Sequence, residues 1–475
     1  MIFKIFLLIL YILVIISIIF IERKNPSQAI SWILIVTAIP YIGLLLYFIF
    51  GNTVNIKITR YIRAHRLSRR KHILNDYYRA LTPEGDLRLQ ASLSGVDRKV
   101  AAFNRSYNRS PLTTFDSAHF FTSGQSHYEA LFRDIQQAQK NIHVEFFTIH
   151  DDPVGRAFVS ALAEKAAQGV TVTVICDFFA NIGRGRRFFA PVVNAGGYCK
   201  RVKRTLTHFR SHRKIVTIDG KIAYIGGMNI GKQYANDDKV KTPWRDTQIR
   251  LTGACVGVLE DYVNLDTICS MPKAEFKTWE EHCKIHALPS PSNTPNACQF
   301  IMGGVDTDLE CMKMCYLSMI RNASKSIRIQ SPYFVPDISI LDELRAACAS
   351  GIRVEIMLPR IKSNFFLQPV SDYYANELAA YGAKIYKYNG YIHAKTMIID
   401  EELCCVGSVN MDIRSLEVDD EICGIFYNND LVAEYQRIYN QDIESSVPFD
   451  SALFNDRSRA CKIREKIFLL FAPLM

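Results

Sequence analysis

At 475 residues, 49% of them hydrophobic, the chain can bury at least two cores at ~150 residues per domain, which excludes a small cross-linked scaffold. Its 13 cysteines are odd in number and form no C-x-x-C pair and no Cys/His cluster at zinc spacing, so they read as reduced thiols and exclude a disulfide framework and a structural metal. A formal charge of +10 asks for an anionic partner, and nucleic acid, anionic lipid and a phosphorylated metabolite answer that equally until the charge is located.

In chain order, residues 2–21, "IFKIFLLILYILVIISIIFI", carry Lys4 as their one charge and are long enough to cross a hydrocarbon layer of ~30 Å. Residues 29–50 form a second apolar run, with Pro40 and Gly43 inside it. Proline and glycine are tolerated there when neighbouring groups satisfy the freed carbonyls. A cleaved signal peptide is the alternative for the first run. "ERKNPSQA" has no small-x-small cleavage site, however, and another apolar run follows at once. The expectation is a two-helix transmembrane hairpin over 1–51.

Residues 52–108 form a basic juxtamembrane segment and linker. They open with Lys57, Arg60, Arg63, Arg66, Arg69, Arg70 and Lys71 and no intervening acid. Such a run marks the cytoplasmic side, so both hairpin ends face the cytoplasm and Pro26 lies outside. At ~1 kcal/mol per cation near an anionic leaflet, the segment either lies along the membrane surface or is a plain topology signal. The protein is thus expected to be membrane-integral and multi-pass, with its larger part in the cytoplasm.

That larger part is duplicated. "AQKNIHVEFFTI" (138–149) parallels "ASKSIRIQSPYF" (323–334), and "ALAEKAAQGVTVTVICDF" parallels "ELRAACASGIRVEIMLPR". Helix, glycine and apolar strand in alternation predict α/β repeats with mostly parallel sheets, one over 109–286 and one over 298–475. The Pro- and Ser-rich "ALPSPSNTPNA", 287–297, is the linker.

Each repeat then reaches a His-x-Lys-x4-Asp pattern, His212, Lys214 and Asp219 in the first and His393, Lys395 and Asp400 in the second. In a strand, residues i and i+2 share a face, so each histidine and its lysine can address one ligand. Asp219 lies an odd number of positions away and opens "DGK", a hairpin-turn signal, so Asp219 and Asp400 are expected to hold local structure.

The doubled pattern resembles the phospholipase D superfamily, as do Gly226, Gly227 and Asn229 after the first copy and Gly407, Ser408 and Asn410 after the second. "HFRSHRKIVTIDG", "WRDTQIRLTG" and "GSVNMDIRSLEVDDEI" resemble the bacterial cardiolipin synthases more narrowly, over nearly the whole chain. The chain departs from that family at Gln248, where histidine is usual, and at Asp419 and Asp420, where asparagine and an apolar residue are usual.

The resemblance implies a bacterial cytoplasmic-membrane phosphatidyltransferase, with His212 as nucleophile and His393 as acid and base. The repeat symmetry alone does not choose between the two histidines. Lys214, Lys395, Asn229 and Asn410 would neutralise the phosphate oxygens as charge builds. Asp246 and Glu421 either orient the imidazoles or are surface acids. The substrate implied is phosphatidylglycerol in an anionic membrane, with no nucleic acid, no metal and no cofactor. A hydrolytic phospholipase D or a phosphatidylserine synthase would use the same groups with another acceptor.

His208 reads as a strand-edge histidine. "NIGRGRRFF", 181–189, reads as a solvated basic loop before a head-group site. "KIREKIFLLFAPLM", 462–475, either packs on the domain or dips into a membrane interface.

Overall fold

The computed structural model describes residues 2–21, 26–50, 89–93, 95–203, 210–235, 244–271, 296–304, 310–361 and 365–469. The basic segment Lys57 to Lys71, His208 and most of the linker 287–297 lie outside them.

The N-terminal unit starts with a helix over Ile2–Ile21. The second apolar run, expected as one helix, is two, Pro26–Ala38 and Pro40–Phe50. Pro40 has no N–H for the carbonyl four residues back, and its ring crowds that carbonyl. The orphaned oxygen is that of Val36, and the Tyr11 hydroxyl of the first helix donates to it at 3.1 Å. Gly43 lets the two short helices close up, since a Cβ there would fall 2.5 Å from the Ile35 oxygen. Ile18, Trp32, Val36 and Tyr47 form the small core of this unit. Among the described residues no helix is long and apolar enough to cross a membrane; the side chains described in the first helix begin at Ile9.

Among its described residues, the larger unit holds two short two-stranded sheets, Phe334–Val335 with Met411–Asp412 and Tyr391–Ile392 with Trp244–Arg245, and two large ones. From edge to edge, the first runs Ser117–Phe121, Gln248–Thr252, Ile222–Gly226, Lys214–Ile218, Asn141–Phe146, Thr171–Asp177, Tyr198–Val202. The second runs Leu112–Thr114, Ala297–Gly303, Glu421–Tyr427, Leu403–Gly407, Thr396–Ile399, Ser326–Gln330, Arg353–Pro359, Lys384–Tyr388, Ser446–Pro448. The sheets are mixed, which corrects the expectation of mostly parallel ones. Within these two large sheets, parallel pairing is confined to the βαβ crossovers, Asn141–Phe146 with Thr171–Asp177 with Tyr198–Val202, and Ser326–Gln330 with Arg353–Pro359 with Lys384–Tyr388. The remaining pairs are antiparallel, because each His-x-Lys strand turns back through a tight hairpin that leaves no room for a crossover helix.

Those hairpins share one design. Asp219 and Gly220 have φ of 56° and 65°, and Asp400 and Glu401 have φ of 54° and 66°, the left-handed pair of a type I′ turn. The Asp219 carboxylate accepts the N–H groups of Gln139, Lys140 and Asn141. That of Asp400 accepts those of Ser324, Lys325 and Ser326 and the Ser324 hydroxyl. Each aspartate therefore ties its turn to the start of the neighbouring strand, about 20 Å from its histidine at ~3.3 Å per residue.

Strands such as Lys214–Ile218 and Leu403–Gly407 are buried throughout. The reason is that a central core joins the two sheets: Ile215, Ile225 and Ile249 of the first pack with Phe300, Val406 and Phe426 of the second. Each sheet also carries a helix-covered outer core, around Val144 and Phe158 in the first repeat and around Ile329 and Leu344 in the second.

Candidate active site

His212 and His393 sit just before their strands, and each is held by the other repeat. The His212 N–H donates to the Asp420 oxygen at 2.8 Å, and the Asp420 N–H returns to the Arg210 oxygen at 2.9 Å. The His393 N–H donates to the Arg245 oxygen at 2.6 Å, where Tyr391–Ile392 pairs in parallel with Trp244–Arg245. Backbone bridges thus fix where both histidines stand.

Arg213 lies between His212 and Lys214, so alternation turns it to the opposite face, where it is fully buried. There it pairs with Asp266 and donates to the carbonyls of Gly303 and Glu421. Arg245 closes the other half, pairing with Asp442 through Nε and Nη2 and donating to Thr247.

The carboxylates after these bridges cross over. Glu421 of the second repeat lies 2.8 Å from Nδ1 of His212, and Asp246 of the first lies 2.6 Å from Nδ1 of His393. Neither is a surface acid: Asp246 is 1% exposed and Glu421 is fully buried. A carboxylate at this distance makes Nδ1 the donor and leaves Nε2 with its lone pair toward the site. Gly227 makes room for Asp246, since a Cβ there would come 2.1 Å from its Oδ1. Its counterpart Ser408 donates its hydroxyl to Glu421.

Lys214 and Lys395 are buried beside their histidines. Lys214 Nζ donates to the His212 carbonyl at 2.5 Å. Lys395 Nζ donates to the His393 carbonyl and lies 2.8 Å from its Nδ1. Burial, opposed by Glu421 and Asp246, lowers Lys214 to about 7, and burial lowers Lys395 to about 8. Burial and then both lysines push His212 well below its ordinary value. Burial and Lys395 bring His393 to about 3 against the pull of Asp246, with Lys214 adding to the push. Each histidine thus feels the lysine of the other repeat, which puts the two pairs in one site.

The carboxylates differ. Burial raises Glu421 to about 7 against Lys214 and the Ser408 hydroxyl. Burial acts upward on Asp246 too, but Lys395, His393 and the Thr247 N–H outweigh it and hold Asp246 below the usual range. Asp246 stays ionised at neutral pH while Glu421 titrates there.

The asparagines are unequal as well. Asn229 is committed, its Oδ1 accepting from the Thr148 N–H at 3.2 Å and its Nδ2 donating to the Tyr234 hydroxyl at 2.8 Å. Asn410 keeps Oδ1 buried with no partner among the described residues. Gln248 accepts the Met228 N–H at 3.3 Å and so braces the turn beneath Gly227. Asp419 pairs with Arg414 at 3.0 Å and takes the Arg210 N–H at 3.1 Å, pinning the approach to His212.

Sequence reasoning missed the aromatic surroundings of His393. Tyr234, Trp244 and Tyr391 have ring centroids 5.8, 5.4 and 5.8 Å from its own. His212 has Phe147 at 4.9 Å. "YIH" and "PWRD" were the available signal, but only the pairing of Tyr391 with Trp244 unites them.

Among the described residues no group of three or more His, Cys, Asp or Glu side chains is placed to hold a metal ion. The site offers two neutral imidazoles with free Nε2 atoms, two lysines that gain charge readily, and two orienting carboxylates. That set suits nucleophilic displacement at an anionic phosphorus centre.

Comparison with known proteins agrees. Residues 131–239 and 316–443 match the family described as cardiolipin synthase, phospholipase D-like domain, and residues 9–52 match the phospholipase D-nuclease N-terminal family. The major cardiolipin synthase ClsA of Bacillus subtilis (strain 168) is 31% identical over 489 residues, 98% of each chain. The cardiolipin synthase of Oceanobacillus iheyensis is 30% identical over 97% of this chain and 96% of its own. Among solved structures, a phosphatidylserine synthase from Haemophilus influenzae Rd KW20 has the same fold, with a TM-score of 0.63 at 13% identity over 79% of this chain and 100% of that one.

Proposed function

The chain belongs to the cardiolipin synthase family of phospholipase D-like proteins, and on that footing we propose that it transfers a phosphatidyl group from one phosphatidylglycerol to another and releases glycerol. The observation that carries the mechanism is the crossed pairing of His212 with Glu421 and His393 with Asp246 around two buried lysines.

In the first step Nε2 of His212 attacks phosphorus in line. A P–N bond forms, the P–O bond to glycerol breaks, and His393 gives its Nε2 proton to the departing oxygen. In the second step neutral His393 takes the proton from the glycerol hydroxyl of another phosphatidylglycerol. The new P–O bond forms, the P–N bond breaks, and His212 is restored.

His393 must carry a proton at the start, although burial and then Lys395 keep it neutral in the empty site. An arriving phosphodiester anion offsets the lysine charge and favours a proton on His393, whose partner Asp246 stays ionised, so substrate binding loads the acid. Lys214, Lys395 and the Asn410 amide then stabilise the charge gathering on the non-bridging oxygens. Asp219 and Asp400, tied to their turns, stay out of the chemistry.

The division into an anchor over 1–51, a basic segment over 52–108 and repeats over 109–286 and 298–475 belongs to the same reading. The apolar runs would hold the enzyme in the bacterial cytoplasmic membrane with its catalytic part on the cytoplasmic side. The hydropathy of 2–21 and 29–50 and the cations Lys57 to Lys71 support this.

The test is the acceptor. Purified protein in phosphatidylglycerol vesicles should yield cardiolipin and glycerol in equal amounts, with little phosphatidic acid. Phosphatidic acid as the main product, without cardiolipin, would sink the synthase reading in favour of a hydrolytic phospholipase D.

A further inference from the structure

Soluble domains rarely leave several large apolar side chains together in water. The second repeat does so beside its active-site edge. The strand Arg353–Pro359 runs parallel to Ser326–Gln330, whose end pairs with Thr396, the residue after Lys395. Beyond that end along the chain, Phe365 (64%) and Phe366 (54%) are exposed. Both rings rest on Phe468 of the C-terminal helix Arg459–Leu469, at centroid distances of 5.6 and 4.9 Å.

That helix is anchored on its inner side, where Phe468 is buried with Val335 and Val370. Ile463 and Ile467, four residues apart on its outer side, are 60% and 48% exposed. The exposed polar positions around them are all cationic: Arg459, Lys462, Arg464 and Lys466. The helix has one acid, Glu465, which is buried and paired with Arg457 at 2.5 Å. Arg464 lies over the Phe365 ring at 5.4 Å, so charge and apolar surface form one patch. Packing on the domain and presenting an amphipathic face, open alternatives in the sequence, are both properties of this helix.

The first repeat carries an equivalent at the corresponding place. Its strand Thr171–Asp177 ends with Asp177 accepting the N–H of Ser211, next to His212. The following residues offer Phe178 and Phe179, half-buried, and Ile182, 64% exposed. Arg201, Lys203 and Arg210 lie over the two rings at 5.3, 5.7 and 4.4 Å. Apolar tips ringed by cations thus stand on both sides of the catalytic residues, at the edge where both His-x-Lys pairs enter.

We infer that this edge is a bilayer-docking surface, in which Phe365, Phe366, Ile463 and Ile467 on one side and Ile182 on the other enter the headgroup region of an anionic leaflet and turn the active site onto it. Uncharged side chains that enter an interface, with cations at their rim, match an anionic lipid surface in polarity and in charge. A docked edge lets the phosphate of a lipid reach the site without leaving the leaflet. The placement rests on the reading that the substrate is a bilayer lipid.

The test uses the full chain in vesicles of equal parts phosphatidylglycerol and phosphatidylcholine. The double variant Ile463→Asp, Ile467→Asp should consume vesicle phosphatidylglycerol at least about fivefold more slowly, with the loss in apparent KM. It should match the parent on a short-chain phosphatidylglycerol held below its micelle concentration. Equal rates on vesicles, or equal losses on both substrates, would overturn the inference. Phe365→Trp gives a readout independent of turnover: its added fluorescence should be quenched by brominated phosphatidylcholine. No quenching, or quenching only after removal of residues 470–475, would leave the patch to another occupant and overturn the docking. A parent protein that consumes no phosphatidylglycerol would instead overturn the proposed reaction, and the quenching would still decide the surface.

Discussion

The carboxylate of Glu421 holds Nδ1 of His212 at 2.8 Å although the two residues stand 209 positions apart, in different repeats. Asp246 holds His393 across 147 positions in the opposite sense. Substituting a carboxylate should therefore disable the histidine of the other repeat.

A phosphatidyl ester of p-nitrophenol separates the two, because its leaving group needs no proton. Asp246→Ala, which impairs His393, should keep a burst of about one p-nitrophenolate per enzyme. Glu421→Ala should lose it, and turnover on phosphatidylglycerol should fall roughly 10²- to 10⁴-fold in both. A burst that survives only in Glu421→Ala would give the nucleophilic role to His393.

The pH profile of kcat/KM should be bell-shaped. Glu421, raised by burial to about 7, must be ionised to orient His212, so activity climbs as pH rises through that value. Lys395, lowered by burial to about 8, is a cation only below it, and Lys214, at about 7, loses charge sooner, so activity falls again above. Glu421→Gln keeps an acceptor for Nδ1 but cannot titrate, so the acid limb should flatten while the alkaline limb remains. An unchanged acid limb in that variant would assign it to another group.

Asp400→Ala should cost about 2–4 kcal/mol of stability, since it strands three backbone N–H groups and a hydroxyl at the start of a central strand. Thermal melting should show the loss, with kcat per folded molecule close to that of the parent. A folded variant with kcat reduced a hundredfold would place Asp400 in the chemistry.

Glu401→Gly should be stabilising by about 1 kcal/mol. Glu401 holds a φ of 66° where the first repeat has Gly220, and its 3.3 Å contact with Arg353 is at the surface and worth little. Denaturant melts of the two proteins side by side measure the difference, and a lower midpoint for the variant would contradict it.

Trp244→Ala should shift products from cardiolipin toward phosphatidic acid by several-fold, a ratio that loss of folding alone leaves untouched. Trp244 and its aromatic neighbours cover the ring of His393, the proposed activator of the acceptor, and a gap there would admit water to compete with lipid. An unaltered product ratio would remove the aromatic wall from the account of acceptor choice.

Much of this geometry was legible before any coordinates. The period of two in a strand places Lys214 beside His212 and turns Arg213 away, and the "DGK" signal locates the turn that Asp219 ties down. The duplicated segments announce two α/β repeats. Sequence reads local register, however, and the crossing of Glu421 and Asp246 arises only when two sheets meet about a pseudo-twofold axis. The mixed sheets escaped for a related reason: helix–glycine–strand units signal the parallel crossovers, whereas the short hairpins that reverse the later strands carry a weaker pattern. At Pro40 the rule for a helix break and the rule for tolerance in lipid pointed different ways, and the Tyr11 hydroxyl that reconciles them lies 25 residues from the Val36 oxygen it satisfies.

The reciprocal loan of carboxylates also bears on biosynthesis. A ribosome that has released the first repeat has released His212 without its partner, and the nascent chain stays chemically silent until Glu421 emerges and the second sheet closes on the first. On the proposed mechanism a chain cut short of Glu421 is inert, and a cell that truncates it there is left with no half-active phosphatidyl acceptor at its membrane.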